Sequence, residues 1–179
     1  MASLKSEKLK AFIREIPDYP KKGILFYDVT TLFSDPTAFH KACSVLTNFL
    51  KTKKITKIVG IESRGFILGA VLAYNLHCGF VPIRKKGKLP YKTLSCDYKL
   101  EYGEATLEIH RDAIEKGDRV VVVDDLLATG GTAAAAGKLV TKLGGKVVSF
   151  CFLIELDFLR GRNKLKENKI ISLLHYVLA

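Results

Sequence analysis

Two adjacent carboxylates and a short turn of small residues carry the clearest chemistry in this sequence. Asp124 and Asp125 follow four consecutive valines, and an Ala-Thr-Gly-Gly-Thr turn at residues 128–132 runs into a helix-prone stretch. The two glycines allow left-handed backbone angles and close approach of a ligand, and the first amides of a helix can point at an anion. We therefore expect residues 129–132 to hold a phosphate and the aspartates to accept hydrogen bonds from neighbouring sugar hydroxyls. Such a site suits a phosphorylated sugar.

The segments around this stretch predict an α/β fold. Residues 120–123 are all valine, so neither face of that strand can meet water, which is typical of a central parallel strand covered by helices. Alternation of strands and helices elsewhere indicates a mostly parallel sheet with helices on both faces. Further strands are predicted at 58–61, 80–83, 147–154 and 170–177. Helices are predicted at 3–16, after Asp35, at 66–76 (apolar nearly all round and therefore buried), at 133–143 and at 156–165.

Residues 93–113 break this alternation of strands and helices. Apolar residues alternate with polar ones from Leu94 to Leu100, and the alternation resumes from Ala105 to Ile109 after a glycine-containing turn. This period of two on both sides of a turn predicts an antiparallel hairpin with one wet face. Its tip carries an acid and a phenol, Glu101 and Tyr102.

Composition limits the class of protein. The 179 residues suffice for one compact domain, and the longest apolar run, 65–74, is shorter than the about 20 residues that a membrane span needs. The N-terminus lacks a signal-peptide core, and the four cysteines have no metal-ligand or disulfide spacing, so a reducing cytoplasm is the expected location. The net charge of +11 fits either nucleic acid or a small substrate with several phosphates.

Three polar loops each follow a predicted parallel strand. They are residues 62–65, 84–88 and 124–132. Loops at the carboxyl ends of parallel strands share one edge of an open sheet, where ligands bind. The second loop on its own would more often be a solvated basic loop, but together the three loops predict two anion sites flanking a sugar.

A resemblance to a known family strengthens this interpretation. An Asp-Asp pair alone is more often ordinary exposed carboxylates, but the whole string at 120–132 resembles the phosphoribosyl-pyrophosphate (PRPP) signature of type I phosphoribosyltransferases. Nearly the whole chain is similar to the adenine phosphoribosyltransferases within that family. The matching segments are Ile-Pro-Asp-Tyr-Pro at 16–20, Gly-Ile-Leu-Phe at 23–26, Gly-Ile-Glu-Ser-Arg-Gly-Phe at 60–66, Arg-Lys-Lys-Gly-Lys-Leu-Pro at 84–90 and Leu-Glu-Tyr-Gly at 100–103.

The resemblance implies a role for each matching residue. Phosphate and ribose would be bound by Asp124, Asp125, Ala128, Thr129, Gly130, Gly131 and Thr132. Pyrophosphate would be bound by Glu62, Ser63, Arg64, Arg84, Lys85 and Lys88. Phe26 would stack on adenine while backbone groups of Leu25 and Tyr27 meet its polar edge. Residues 1–34 would form a hood over the base, and 35–179 the phosphoribosyltransferase core, with a mobile lid hairpin at about 89–113.

The implied reaction is purine salvage. Pyrophosphate would leave C1 of PRPP, positive charge would develop on the ribose, and N9 of adenine would attack to give AMP. Glu101 would manage a proton at the adenine ring, and Tyr102 would assist in positioning. Mg²⁺ would be held mainly by substrate and water, with Asp124 as a protein ligand. The resemblance also implies a homodimer.

Two alternative functions remain open on the sequence. A regulator on the same fold could sense PRPP and bind nucleic acid, which would use the +11 charge but would need an added nucleic-acid-reading element. Alternatively, the chain could transfer phosphoribose to another base, such as hypoxanthine or guanine. The 16–26 segment argues against that second alternative through resemblance only.

Overall fold

The computed structural model describes residues 8–99, 103–165 and 168–177. The strands are β1 (Arg14–Ile16), β2 (Phe26–Asp28), β3 (Lys57–Ile61), β4 (Gly79–Lys85), β5 (Thr93–Lys99), β6 (Glu104–His110), β7 (Arg119–Leu127), β8 (Lys146–Leu156) and β9 (Ile170–Tyr176). The α-helices are α1 (Thr30–Ser34), α2 (Pro36–Leu50), α3 (Arg64–Leu76) and α4 (Gly131–Lys142). Short 3-10 helices cover Lys8–Phe12, Asp157–Leu159 and Gly161–Leu165.

The main sheet has seven strands in the order β5-β6-β4-β3-β7-β8-β9. Four neighbouring pairs are parallel, namely β4–β3, β3–β7, β7–β8 and β8–β9. Strand β6 pairs antiparallel with both β4 and β5. The predicted mostly parallel sheet and the projecting antiparallel hairpin are both confirmed. The strands β1 and β2 form a separate antiparallel pair.

The central strand β7 separates two hydrophobic cores. Val121 and Val123 pack into a core that includes the buried faces of α2 and α3. Val120 and Val122 point the other way, into a core that includes α4. Because successive side chains of a strand point to opposite faces, the run of valines fills both cores at once. The predicted covering of the sheet by helices on both faces is therefore confirmed.

The predicted N-terminal helix at 3–16 is wrong over its described part. Lys8–Phe12 is a 3-10 helix, and Arg14–Ile16 is a strand that pairs with Phe26–Asp28. Two apolar residues of the segment still point inward, since Leu9 and Ile13 are buried, whereas Phe12 is 38% exposed. Tertiary pairing has overridden the helical period in the second half of the segment.

Two further expectations about helices need correction. Helix α3 is not buried all round, because only one side packs on the sheet while Ile67 is 45% and Tyr74 is 81% exposed. The predicted helix at 156–165 is two 3-10 helices separated by Arg160, whose φ of 52° is incompatible with a continuous right-handed helix. Among the described residues, no helix combines the length and apolar character that crossing a membrane requires.

Candidate active site

A polar cleft of about 420 Å³ lies at the carboxyl ends of β3 and β7. It brings together residues from two of the three predicted polar loops and one residue of the third. The lining residues are Glu62, Ser63, Arg64, Lys85, Tyr98, Asp124, Asp125, Leu126, Leu127, Ala128, Thr129, Gly130, Thr132 and Ala133. The convergence expected from strand topology is therefore present in the fold.

The turn at residues 128–132, called here the phosphate turn, joins β7 to α4. Gly130 occupies the N-cap with φ 77° and ψ 0°, a left-handed conformation that a Cβ would strain. No side chain caps this helix end, and the first amides of a helix have no intrahelical acceptor. The turn therefore presents N–H groups and the threonine hydroxyls to the cleft, which is an arrangement that binds an oxyanion.

The two aspartates lie within β7, which continues to Leu127 beyond the predicted end of the strand. The start of α3 packs tightly on them, because a Cβ on Gly65 would lie 2.8 Å from the Val123 carbonyl oxygen and 3.0 Å from Oδ1 of Asp124. This close approach places Arg64 beside Asp125, with Nε 2.5 Å from Oδ2. Burial and the neighbouring Asp125 charge raise the pKa of Asp124 well above its usual range.

Glu62 contacts several members of a group of basic residues at this edge of the sheet. The group is called here the cation cluster and consists of Arg64, Arg84, Lys85 and Lys88. The partly buried carboxylate of Glu62 accepts hydrogen bonds from Arg84 Nε at 3.1 Å, the Lys85 amide at 3.2 Å and Lys88 Nζ. Burial would raise the pKa of Glu62, but these three donors outweigh burial and lower it. Glu62 and Ser63 are joined by a cis peptide bond.

A second acid anchors the basic loop from the hairpin side. Glu108 on β6 is only 6% exposed and accepts a hydrogen bond from the Gly87 amide at 2.9 Å. Its other oxygen accepts one from the Ser95 hydroxyl at 3.2 Å. The loop after β4 is therefore tied to the sheet by Glu62 on one side and by Glu108 on the other.

The residues expected to bind a base lie beside the cleft rather than in its lining. The Arg64 guanidinium is 5.5 Å from the Phe26 ring, and Tyr19 meets the same ring edge-on at 5.2 Å. Tyr27 points away into the core, where it is 3% exposed and its ring centroid is 4.1 Å from that of Tyr176. Leu25 is partly buried and packs against the same core. Only backbone groups of Tyr27 therefore remain for ligand contact.

The hairpin contributes one residue that the sequence interpretation missed. Tyr98 on β5 lines the cleft, although its place among Leu94 and Cys96 in the alternation suggested only a core-facing side chain. Only the strand order of the folded sheet shows that β5, which carries Tyr98, lies two strands away from β4. Glu101 and Tyr102, the predicted catalytic pair, lie outside the described residues.

The donor set of the cleft suits a divalent cation held partly by substrate. Asp124 and Asp125 supply carboxylate oxygens, the ligands that Mg²⁺ prefers. The raised pKa of Asp124 means that its charged form is poorly stabilised by the protein alone. A bound cation would compensate that charge, so the residues present fit Mg²⁺ beside Asp124.

Comparisons with known proteins agree with this geometry. A family model described as "Phosphoribosyl transferase domain" matches residues 31–174. The chain is 58% identical over 170 residues to the adenine phosphoribosyltransferase of Koribacter versatilis, covering 95% of this chain and 93% of the relative. A crystal structure of the Thermoanaerobacter pseudethanolicus adenine phosphoribosyltransferase superposes with a TM-score of 0.93 at 55% identity, covering 96% of this chain and 99% of the other.

A third relative carries ligands in its crystal structure. The adenine phosphoribosyltransferase of Saccharomyces cerevisiae, complexed with an imino-altritol bisphosphate and adenine, superposes with a TM-score of 0.90. It is 43% identical, and the alignment covers 94% of this chain and 98% of the yeast chain.

Proposed function

This chain belongs to the phosphoribosyltransferase family, among its adenine phosphoribosyltransferases, and from that premise we propose the reaction in full. It transfers the 5-phosphoribosyl group of PRPP to adenine, with Mg²⁺ present, and gives AMP and pyrophosphate. The single observation that carries the proposal is the cleft itself. One cavity holds an uncapped helix start, two adjacent carboxylates and the cations Arg64 and Lys85, which are the partners that a sugar with a phosphate at each end requires.

The 5-phosphate binds in the phosphate turn. Main-chain amides at a helix start bind phosphate without a cation, and the turn lies directly after the two aspartates along β7. Asp124 and Asp125 then accept hydrogen bonds from the ribose hydroxyls. Carboxylates repel phosphate, so they also favour placement of the sugar, rather than a phosphate, at the middle of the cleft.

The pyrophosphate binds at the cation cluster, and its arrival exchanges partners within that cluster. Arg64 is paired with Asp125, and Arg84 and Lys88 are paired with Glu62. A multiply charged pyrophosphate competes with these single carboxylates for the same cations. Release of Arg64 also frees an oxygen of Asp125 for the ribose, so that binding at the two positions is coupled.

Adenine binds on the side of the cleft next to Phe26. The ring of Phe26 already contacts the Arg64 guanidinium, so a base stacked on this ring would lie close to the ribose. Backbone groups of Leu25 and Tyr27 read the polar edge of the base. The yeast relative was crystallised with adenine, which supports this choice of base over hypoxanthine or guanine.

The chemistry is a displacement at C1 of the ribose. Mg²⁺, when bound, neutralises the leaving pyrophosphate. Asp124 and Asp125 hold the ribose hydroxyls while positive charge develops on the sugar ring. The negative charge of these nearby carboxylates stabilises the positive charge in the transition state. The hairpin excludes water from the reacting centre.

Glu101 is proposed to manage the proton at the adenine ring, with Tyr102 as a positioning group. Glu101→Gln should lower kcat by about 10²–10⁴-fold, the usual contribution of a general acid or base. The KM for PRPP should change little, because Glu101 is not a phosphate ligand in this scheme. Near-normal turnover of the variant would remove Glu101 from the role.

The proposed assembly is a homodimer. Helix α3 follows the Glu62–Ser63 loop and exposes Ile67 and Tyr74, which lie seven residues, or about two helical turns, apart on one face. Pairing of two copies through this face would cover it. Sedimentation of the purified protein should give twice the mass of one chain, and a monomer at micromolar concentration would contradict the assembly.

The decisive assay measures pyrophosphate release from PRPP and Mg²⁺ with adenine, hypoxanthine and guanine in parallel. Release with adenine alone, together with formation of AMP, is the expected result. Release with another base would leave the PRPP site in place but overturn the assignment of the base. A folded sample that binds PRPP without releasing pyrophosphate would favour the regulator, whose DNA binding should then depend steeply on salt.

A further inference from the structure

The backbone of Gly161 lies directly against the phosphate turn. An ideal Cβ placed on Gly161 would overlap the carbonyl oxygen of Ala128 and lie 3.1 Å from the Gly130 amide nitrogen. The contact is reciprocal, because a Cβ on Gly130 would overlap the Gly161 carbonyl oxygen and lie 3.3 Å from its Cα. The two backbone segments therefore touch without any side chain between them.

The segment that carries Gly161 is itself firmly anchored. Its neighbour Arg162 donates two hydrogen bonds to Glu155, from Nε at 2.5 Å and from a terminal nitrogen at 2.7 Å. Glu155 is 2% exposed on β8, directly opposite Leu127 of β7. Four residues after Gly161, Leu165 is buried in the core that contains α4. The segment is thus fixed to β8, the strand paired with β7 beside the phosphate turn, and to the core that contains α4.

The cluster around Glu155 is better explained by this anchoring than by metal binding. Glu155, Asp157 and His175 could in principle offer ligands to a metal ion. However, one oxygen of Glu155 accepts from Arg162, and the other accepts from both Arg162 and the Ser172 hydroxyl at 2.5 Å. Its carboxylate is already fully engaged, and its charge is compensated by a bidentate arginine.

We propose that Gly161, held by the Arg162–Glu155 pair, is a positioning residue that sets the shape of the phosphate turn and thereby the affinity for the 5-phosphate of the substrate. The absence of a side chain allows the close approach, and the bidentate pair determines where the Gly161 backbone lies. The inference rests on the proposed function, since it assigns the 5-phosphate to this turn. Gly161 itself touches the turn and not the substrate.

Gly161→Ala directly tests the close contact between the Gly161 backbone and the phosphate turn. Gly161 does not have a positive φ, so alanine changes the contact with the turn without straining its own backbone. The KM for PRPP should rise about tenfold or more, because small displacements of substrate-binding groups are costly. The KM for adenine should stay within about twofold. The dissociation constant of ribose 5-phosphate, measured calorimetrically without turnover, should rise by the same factor as the KM for PRPP.

Gly145→Ala is the matched control. Its Cβ would also be crowded, although by side chains, at 2.6 Å from Cγ2 of Ile114 and 3.0 Å from Cγ1 of Val140, and its φ is also not positive. It lies beyond the far end of α4, away from the phosphate turn. It should lower thermal stability while leaving ribose 5-phosphate binding unchanged. If both variants weaken ribose 5-phosphate binding equally, general destabilisation explains the effect and the proposal is overturned.

Arg162→Gln and Arg162→Lys extend the test should Gly161→Ala fail to fold. The glutamine variant loses the bidentate pair and should bind ribose 5-phosphate severalfold more weakly. The lysine variant keeps the charge and should recover part of the lost affinity. Unchanged ribose 5-phosphate affinity in folded Gly161→Ala or Arg162→Gln protein contradicts the positioning role. If the wild-type protein makes no AMP, the proposed function fails, but the ribose 5-phosphate titrations still decide the role of Gly161.

Discussion

In the proposed reaction, the phosphate turn and the cation cluster bind anions by different means. The turn relies on main-chain amides at the start of α4, held in place by the backbone of Gly161. The cation cluster relies on side chains, and in the free protein Arg64, Arg84 and Lys88 are already paired with acids of the same cleft. One end of the site is therefore ready for its ligand, whereas the other end must give up internal partners.

This difference has an energetic reason. Amides carry no net charge, so a rigid turn can present them at little electrostatic cost. Several cations close together repel one another in the free protein, and carboxylates such as Glu62 reduce that repulsion. Under the proposed function, the same carboxylates would lower the affinity of the cations for pyrophosphate and so favour release of that product. The turn would hold the sugar phosphate while the cluster exchanges its anion.

Gly130→Ala should give the largest effect, because it disturbs the preformed end. The added Cβ would be strained by the positive φ of this residue and would clash with the Gly161 carbonyl. We expect kcat/KM for PRPP to fall about 100-fold, a loss of about 2.7 kcal/mol in transition-state stabilisation. Steady-state kinetics would measure it. Gly117→Ala is the control, since Gly117 also has a positive φ of 96° but nothing within 4 Å of its Cβ. A loss of similar size in the control would mean that backbone strain alone explains the result.

Arg64→Gln should come next, since it removes a cation from the exchanging end. Pyrophosphate binding should weaken about tenfold, the value of one charge-assisted contact. Stability should fall by about 1–2 kcal/mol, less than for a fully buried pair because Arg64 is 38% exposed, while Asp125 is left without its partner. Calorimetric titration and thermal melts would check both. Arg14→Gln, which breaks the 3.6 Å pair between the exposed Arg14 and Asp28, should change neither quantity measurably.

Glu62→Gln should act in the opposite direction. Loss of this carboxylate charge frees Arg84 and Lys88, so pyrophosphate should bind about threefold tighter in Mg²⁺-free buffer. The expected change is small because the cations are also screened by solvent. Weaker binding in the variant would show that Glu62 orders the cluster more than it competes with the ligand.

The last prediction concerns the stability of the free protein at different pH, rather than ligand binding or turnover. The pKa of Asp124 is raised in the folded state, so its contribution to stability is present below the unfolded value of 3.8 and is lost as pH rises through the folded pKa. Asp124→Asn should therefore raise the melting temperature at pH 7 by about 2–4 °C, which corresponds to about 1 kcal/mol. The gain should disappear near pH 3. A gain independent of pH would point to packing rather than charge.

The preformed end of the site could be predicted from sequence because its signals are local. Four valines, two acids and a Thr-Gly-Gly-Thr turn all lie within residues 120–132, and each has one dominant structural consequence. The fold followed from the same kind of signal, since buried runs and helical periods alternate along the chain. Position at the end of parallel strands then brought the loops together.

The pairings in the cation cluster could not be predicted, because their partners are distant in sequence. Arg64 and Asp125 are 61 positions apart, and Glu62 and Lys88 are 26 apart. The resemblance named Arg64, Arg84 and Lys88 as pyrophosphate ligands, but nothing in the residues showed that acids hold them in the free protein. Gly161 was missed for a similar reason, since a lone glycine carries no sign of the backbone it will touch.

The difference between the two ends can be tested most directly by a crystal structure of the protein with Mg²⁺ and a non-reactive PRPP analogue. The account predicts that Arg64 leaves Asp125 to contact the pyrophosphate group, so that the 2.5 Å separation seen in the free protein is lost. The backbone of the phosphate turn should meanwhile stay within about 0.5 Å of its free position, as expected for a preformed site. An intact Arg64–Asp125 pair together with a rebuilt phosphate turn would contradict the account.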